Sequence, residues 1–300
     1  KDRAVVNMPF SYSYMLSIIN SHIHVGGSIF ISNNSFLQRN FWDDIKKNNI
    51  TSFNGVPYIY DTLIKIGINK LKINSIKYLT HAGGKLNHKT NKNLIKFTKK
   101  NKLNFYSMYG QTEASPRIAI LDPKYSSFKI GSIGKVISGG KIWLENNKRE
   151  RITKPNTVGE LMYSGKNVFL GYCNNLNDLK KTNKKNNILR TGDLAYFDED
   201  NFFYIKGRLN RIAKIFGIRF NLDEMEIKLL KYGYNVICIN KNNYLYLCFE
   251  KDYSSEKLLK LASKLTMLNK NVFIIKKLNK FPRNASSKIQ IQKIDDILDA

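Results

Sequence analysis

Short apolar runs alternate with amphipathic stretches through the first half of the chain, and this alternation constrains the fold more than any other feature. Ser28-Ile29-Phe30-Ile31 reads as a buried strand. Phe36 to Lys47 reads as a helix, because Phe36, Leu37, Phe41, Trp42 and Ile45 recur at roughly helical spacing. Ile50 to Gly55 and Ile76 to Thr80 are strand candidates, with a helix around Tyr58 to Lys65 between them. Leu86 to Lys102 reads as a further helix and Leu103 to Met108 as the strand that follows it. Strands alternating with helices predict an α/β region built on a parallel sheet. Ligands on such sheets sit at the carboxyl ends of the strands, and Gly83-Gly84 and Tyr109-Gly110 both fall at such ends.

The texture changes from Lys129 to Tyr204, where Gly131, Gly134, Gly139, Gly140, Gly159, Gly165 and Gly171 punctuate short β-rich pieces. This predicts an antiparallel, barrel-like subdomain. A smaller α+β unit begins near Arg211. Asn221 and Glu224 form a capping-box-like start to a helix that ends before Gly233. Strands over Asn235 to Asn240 and Tyr244 to Glu250, a helix from Ser255 to about Leu268 and a strand near Val272 to Ile275 complete it. The expected organisation is a partial large domain over 1–209, divided into an α/β part (1–128) and a β-rich part (129–209). A small α+β C-terminal domain over 210–300 follows, with a hinge near Asn210.

Composition narrows the classes of function. With 42% hydrophobic residues over 300 positions the chain can bury a sizeable core. The longest apolar stretch, Met15 to Ile31, is broken by Asn20, His22, His24 and two glycines, so no membrane span is expected. Lys1-Asp2-Arg3 and the short apolar segment after it do not make a signal peptide. Cys173, Cys238 and Cys248 lie far apart with no CxxC, and read as reduced, structural thiols of a cytoplasmic protein. The formal net charge of +27 raises the question of nucleic acid. The lysines are scattered, however, and travel with asparagine and isoleucine, as codon bias in an AT-rich genome produces. Lys92, Lys96, Lys99 and Lys100 lie on the solvent face of a predicted helix. A solvated surface and no nucleic-acid partner are expected. His22-x-His24 would lie on a strand and lacks a third ligand, so no metal site is expected there.

Tyr109-Gly110-Gln111-Thr112-Glu113 carries a hydroxyl and a carboxylate beside a glycine turn, which suits a nucleotide and its magnesium. In chain order it is followed by Thr191-Gly192-Asp193, Gly207-Arg208, Lys214-Ile215-Phe216-Gly217 and Pro282-Arg283-Asn284-Ala285-Ser286-Ser287-Lys288. This ordered set resembles the adenylate-forming (AMP-binding) synthetase family, which includes acyl-CoA synthetases, peptide-synthetase adenylation domains and firefly luciferase. The family reads Tyr-Gly-x-Thr-Glu, Thr-Gly-Asp, Gly-Arg-x-x-x-x-Ile-Lys-x-x-Gly and Pro-x-x-x-x-Gly-Lys in the same order. Pro9 to Ser17 resembles an acyl-pocket segment of some members.

The resemblance implies an AMP-forming acid–thiol ligase. ATP and a small carboxylic acid give an acyl-adenylate and pyrophosphate, and the acyl group then passes to CoA or to a phosphopantetheinyl acyl carrier protein. Thr112 would bond phosphate oxygens and Glu113 would hold magnesium. Tyr109, with Gly110 and Gln111, would pack on the adenine, and Gly83, Gly84 and Lys85 would form the facing wall. Asp193 and Arg208 would hold the ribose. Lys288 would be the principal catalytic group of the first step, and Lys214 would serve the thiol-accepting step with Gly217 lining the channel. Tyr12, Ser13, Phe53, Asn54, Gly55 and Tyr106 to Met108 would line the acid pocket. Several positions depart from the family: Met15, Lys85, Asn210, Ala213, Asn284 and Ser287. The family's glycine-rich phosphate loop, which lies before the Pro9 segment, does not occur between Lys1 and Ala300. An N-terminally truncated fragment with little adenylation activity of its own is therefore expected, and the alternative is a catalytically inactive remnant or scaffold of the same fold.

Overall fold

Parallel strands must have both faces covered, and the central strand of this chain shows how the sequence meets that demand. β3 (Ser52–Gly55) is buried at all four residues. It lies among β1 (Arg3–Val6), β2 (Ser28–Ile31), β4 (Tyr78–His81) and β5 (Asn104–Tyr109) in the order β2-β1-β3-β4-β5, with every pairing parallel. The connections are α1 (Ser13–His24), α2 (Arg39–Lys47), α3 (Pro57–Ile66) and α4 (His88–Lys100). Two antiparallel strands, β6 (Ala119–Leu121) and β7 (Lys135–Val136), extend the sheet beyond β5. The structure is a computed structural model that describes residues 1–71, 73–173, 175–179, 187–215, 218–284 and 288–299.

Local chemistry fixes the helix ends. The Asn87 side chain accepts from the Thr90 amide and caps α4, and Pro57 opens α3, where its missing N–H costs nothing. Gly67 closes α3 at φ 94°, a left-handed conformation that favours glycine. Met15, Ile18, Phe41, Ile45, Tyr60, Leu63 and Leu94 turn inward from the four helices and pack with Phe53 and Leu79 of the sheet.

The α/β reading of the first half holds, with differences at particular elements. β1 and α1 were not anticipated from the sequence. In α1 the buried residues Tyr14, Met15, Ile18, Ile19 and His22 follow helical spacing, and the polar residues that interrupt the apolar run lie between them. His22 and His24 are therefore on a helix and not on a strand. His22 is buried, with Nδ1 2.8 Å from the Ile18 carbonyl and Nε2 3.1 Å from the Tyr78 hydroxyl. Among the described residues no His, Cys, Asp and Glu side chains group as metal ligands, and no helix is long and apolar enough to cross a membrane. The helix expected from Phe36 starts at Arg39, because the Trp42 indole donates to the Phe36 carbonyl and holds that residue in the preceding loop. Cys238 and Cys248 are buried, but Cys173 is exposed and so is not a structural core thiol.

The β-rich segment forms a second sheet. Its strands are β8 (Lys141–Glu145), β9 (Arg151–Ile152), β10 (Gly159–Ser164), β11 (Ile188–Phe197) and β12 (Phe203–Arg208), in the order β12-β11-β10-β8-β9. The β8 pairings with β9 and β10 are antiparallel. β7 falls in the glycine-punctuated stretch yet joins the first sheet. A single helical turn, α5 (Leu176–Leu179), precedes β11.

The chain divides into two compact units, Lys1–Thr191 with Ala195–Ile205, and Gly192–Leu194 with Lys206–Ala300. The second unit holds a hairpin of β13 (Ile212–Ile215) and β14 (Ile218–Asn221), then α6 (Leu222–Lys231). A sheet follows, ordered β15 (Ile237–Lys241), β16 (Tyr244–Phe249), β17 (Phe273–Lys277). The β15–β16 pair is an antiparallel hairpin. The β16–β17 pair is parallel and is joined through α7 (Ser255–Thr266). α8 (Ile291–Asp299) ends the chain and was not anticipated. Asn221 does cap α6, accepting from the amides of Asp223 and Glu224, and Ser254 caps α7.

Arg211 is the organising charge of this unit. It is buried, and its guanidinium bonds Asp223 at 2.8 Å, the Cys238 carbonyl at 2.6 Å and the Glu226 carboxylate. Asp223 also accepts from the Arg208 amide at 3.1 Å, so one carboxylate fastens both flanks of Asn210 to α6. Burial pushes Glu226 up to about 7, with Arg211 pulling the other way. Removing one partner of such a network leaves the others buried without counter-charge. Arg211→Met is expected to destabilise the second unit by about 3–5 kcal/mol in denaturant unfolding. Pairing it with Glu226→Leu should recover part of that loss.

Candidate active site

The parallel register carries three turns to one edge of the first sheet. Gly55 pairs with His81 and His81 with Ser107, so the segments after β3, β4 and β5 leave at the same level. Gly83 follows β4 with φ +83°, and a Cβ there would overlap the Tyr12 hydroxyl. Both the backbone conformation and the close approach require glycine. Gly110 is fixed differently: a Cβ there would overlap the Pro116 carbonyl where the chain folds back from the Thr112 turn.

Thr112 and Glu113 lie in a 3-10 turn, Thr112–Ala114, closed by Ser115 in the left-handed region at φ 51°. The Thr112 hydroxyl is 2.9 Å from that of Ser13, the first residue of α1. Gln111 donates from Nε2 to the Thr191 carbonyl at 2.8 Å, and Lys85 from Nζ to the Ile205 carbonyl at 2.9 Å. Glu113 accepts the Tyr172 hydroxyl at 2.6 Å, and that contact raises the Tyr172 pKa. Asn167 donates to the carbonyls of Ala114 (2.5 Å) and Arg117 (2.9 Å) and accepts from the Tyr163 hydroxyl at 2.6 Å. The segment from Tyr163 to Tyr172 therefore buttresses the Thr112 turn. Sequence reasoning missed Asn167 and Tyr172, because nothing in their own neighbourhood points to a turn 53–59 positions earlier.

Strand pleating divides the expected acid-pocket residues. Asn54, Thr80 and Tyr106 are register partners and share one face of the sheet, toward α1. The Tyr14 hydroxyl of α1 is 2.6 Å from that of Thr80, which donates to Asn54 Oδ1 at 2.7 Å. Phe53, Gly55 and Ser107 alternate to the opposite face. Phe53 packs on Phe41, Trp42 and Tyr60, and Gly55 lies under the Tyr60 ring, so both belong to the core. Tyr12 and Ser13 precede and open α1, and Met108 is buried in the first core.

His81 occupies the edge beneath the glycine turn. It is buried, its Nδ1 is 3.5 Å from the Ser107 hydroxyl, and its Nε2 has no hydrogen-bond partner. Burial lowers its pKa to about 3, against a backbone hydrogen bond with Gly84 that raises it. The ring is therefore neutral at ordinary pH.

In the second unit Arg208 Nε lies 3.0 Å from Asp193 Oδ1, and Asp193 is almost wholly buried. Lys288 joins this group. Desolvation first and the Arg208 charge second lower its pKa, while Asp193 raises it. The Lys288 amide donates to Asn284 Oδ1 at 3.0 Å, and the Asn284 amide to the Lys288 carbonyl at 2.9 Å, closing the loop that carries the lysine. Gly207 has no room for a side chain, since a Cβ would lie 2.5 Å from the Asn221 amide nitrogen. Lys214 is on β13, paired with Arg219 of β14. Its side chain, together with Phe216, Gly217 and 285–287, lies outside the described residues.

Residues 1–173 match the family model described as AMP-binding enzyme. The chain belongs to that family. It is 29% identical over 210 residues to a 2-succinylbenzoate–CoA ligase of Bacillus licheniformis, an alignment covering 67% of this chain and 43% of the relative. The chain thus spans less than half the length of that curated relative. Two solved structures of o-succinylbenzoate CoA synthetase from Bacillus subtilis share the fold. One, in complex with an acyl-adenylate intermediate, has a TM-score of 0.77 at 22% identity, covering 98% of this chain and 61% of that one. The other, in complex with ATP and magnesium, has a TM-score of 0.76 at 23% identity, covering 98% and 62%. Family membership accounts for the mixed architecture, with its parallel-rich sheet, further sheets and small C-terminal α/β region.

His81 gives this AMP-binding fold a pH signature. The unfolded chain takes up a proton near 6.5 that the folded chain refuses until about 3. Stability is full above pH 6.5 and falls by up to about 1.4 kcal/mol per pH unit below it. His81→Gln should remove that share of the slope when unfolding midpoints are compared at pH 7 and pH 5.

Proposed function

We propose that the chain is part of an AMP-forming acid–thiol ligase. A small carboxylic acid and ATP give an acyl-adenylate and pyrophosphate, and the acyl group then passes to the thiol of CoA or of a phosphopantetheinyl carrier protein. The observation that carries the reading is the Ser13–Thr112 hydroxyl pair beside the side-chain-free Gly83–Gly84 turn. A carboxylate and a polyphosphate repel each other, so the first step needs donors and cations where charge builds on the α-phosphate. Thr112 and Ser13 offer hydroxyls, and the glycine turn lets a planar base approach the backbone.

Glu113 fits a role in holding magnesium. Tyr172 bonds only one of its two oxygens, and magnesium in nucleotide sites commonly takes one or two carboxylates along with phosphates and water. Bound there, the ion would supply charge neutralisation at the phosphates. Asp193 is acceptor-only and suits paired ribose hydroxyls, with Arg208 holding its orientation. Lys288 suits an ammonium that bonds the acid and the α-phosphate together, because desolvation strengthens its attraction for anions. Lys214 and the β13–β14 hairpin serve the thiol-accepting step, with movement near Asn210 separating the two half-reactions. A cytoplasmic location fits this chemistry.

In the full-length protein, Lys288→Ala should lower acid-dependent ATP–pyrophosphate exchange by about 100-fold or more with nucleotide binding retained. Lys214→Ala should leave exchange intact and slow thioester formation. Loss of the same half-reaction in both variants would contradict these assignments. Bound ATP with no exchange across an acid panel would favour an inactive scaffold.

A further inference from the structure

The Thr112 turn is held residue by residue from the segment 167–172. The Phe169 amide donates to the Glu113 carbonyl at 2.9 Å, and Asn167 Nδ2 to the Ala114 carbonyl at 2.5 Å. The Ser115 hydroxyl donates in turn to the Asn167 carbonyl at 3.0 Å. These bonds fix the backbone on which Glu113 sits and leave its side chain as the remaining freedom. Tyr172 restrains that side chain: its hydroxyl donates to Glu113 Oε1 at 2.6 Å. The phenol is itself placed, because its ring packs edge-on against Phe169 with centroids 5.0 Å apart. One short segment therefore sets both the backbone and the carboxylate of Glu113.

Two features separate this contact from an ordinary surface hydrogen bond. Basic residues outnumber acidic ones by 50 to 23, yet Glu113 forms no ion pair among the described residues. A carboxylate that serves an external cation has to be left unpaired by the cations of its own chain. Tyr172, for its part, is 73% exposed, so core burial does not hold it there. Its ordering on Glu113 costs rotamer freedom without apolar burial in return. The hydroxyl takes one oxygen only. As a neutral donor it leaves the carboxylate ionised, with Oε2 still able to act as a ligand. Magnesium demands near-ideal octahedral placement of its ligands, and ligating carboxylates are commonly oriented by a hydrogen-bonding neighbour.

We propose that Tyr172 is the positioning residue of the magnesium site: it holds Glu113 by Oε1 and leaves Oε2 for the ion. The role rests on the reading of Glu113 as the magnesium ligand of the ligase. Tyr172 acts through Glu113 alone and touches neither the nucleotide nor the reacting atoms, so its contribution belongs to the metal-dependent share of nucleotide binding.

Manganese(II) serves as the probe, with the full-length protein and α,β-methylene-ATP, which cannot form an adenylate. Bound metal is read from loss of the free-ion paramagnetic resonance signal, and metal-free AMP binding by calorimetry. Tyr172→Phe deletes the hydroxyl and keeps the ring against Phe169. It is expected to weaken manganese binding about 10-fold, the lower end for loss of such a partner because Tyr172 is exposed. Metal-free AMP affinity and the unfolding midpoint should not change. Glu113→Gln should weaken manganese binding further, and adding Tyr172→Phe to it should then cost less than about 2-fold, since an effect routed through Glu113 disappears with it. Unchanged or tighter manganese binding by Tyr172→Phe, with Glu113→Gln still impaired, would overturn the proposal and leave Glu113 as the ligand. Additive losses in the double variant would overturn it as well, because Tyr172 would then act independently of Glu113. Unaffected metal binding by Glu113→Gln would remove the magnesium assignment and the proposal with it. The expected manganese losses without pyrophosphate exchange from any acid would keep the positioning role and sink the ligase reading.

Discussion

The parallel register of β1, β3, β4 and β5 is the constraint on which the rest of the first unit depends. Parallel pairing sends every strand the same way, so Gly83, Gly110 and Thr112 emerge at one edge. The same register aligns Asn54 with Thr80 and Thr80 with Tyr106, which builds a polar wall on one face and an apolar core on the other. A slip of one residue along β4 would exchange those faces, placing Leu79 against α1 and Thr80 in the core. Helix caps and glycine turns adjust details within this frame.

Electrostatics divide the buried charges into two kinds. Arg211 has two carboxylates and a carbonyl within hydrogen-bonding reach, and the result is a fastening between α6 and the segment around Asn210. In a chain with a formal net charge of +27, an unpaired surface cation carries little information. Arg117 is partly buried, and its Nε is enclosed without a hydrogen-bond partner. His81 shows the neutral solution to burial: its ring gives up its charge and keeps a donor or acceptor at the edge below Gly84.

Much of the architecture could be read in advance where periodicity was strong. Helices α3, α4, α6 and α7 and strands β2 to β5 lie within a few residues of expectation, because each carries an apolar face of the right period or a recognisable cap such as Asn221. α1 was concealed by its own composition: Asn20, His22 and His24 break the apolar run in sequence, yet its buried positions keep helical spacing. β7 could not be assigned to the first sheet, since a two-residue strand has no period of its own and is defined by its partner β6. The acid-pocket residues divided because neighbours along a strand point to opposite faces, so Phe53 and Gly55 went to the core while Asn54 stayed on the wall.

By itself the sequence determined the family. Thr112, Glu113, Asp193, Arg208, Lys214 and Lys288 occur in a fixed order among glycines, and short motifs of that kind are legible because the residue types they need are local. Tertiary structure decided which of the remaining polar residues meet. Tyr172 reaches Glu113 across 59 positions, Asn167 holds the Thr112 turn across 53, and Tyr14 meets Thr80 across 66. Nothing in the sequence around Arg117 separates it from the other basic residues. Only folding determines which cation is buried and paired, as Arg211 is with Asp223 and Glu226, because burial and pairing belong to the arrangement of distant segments and not to the residue.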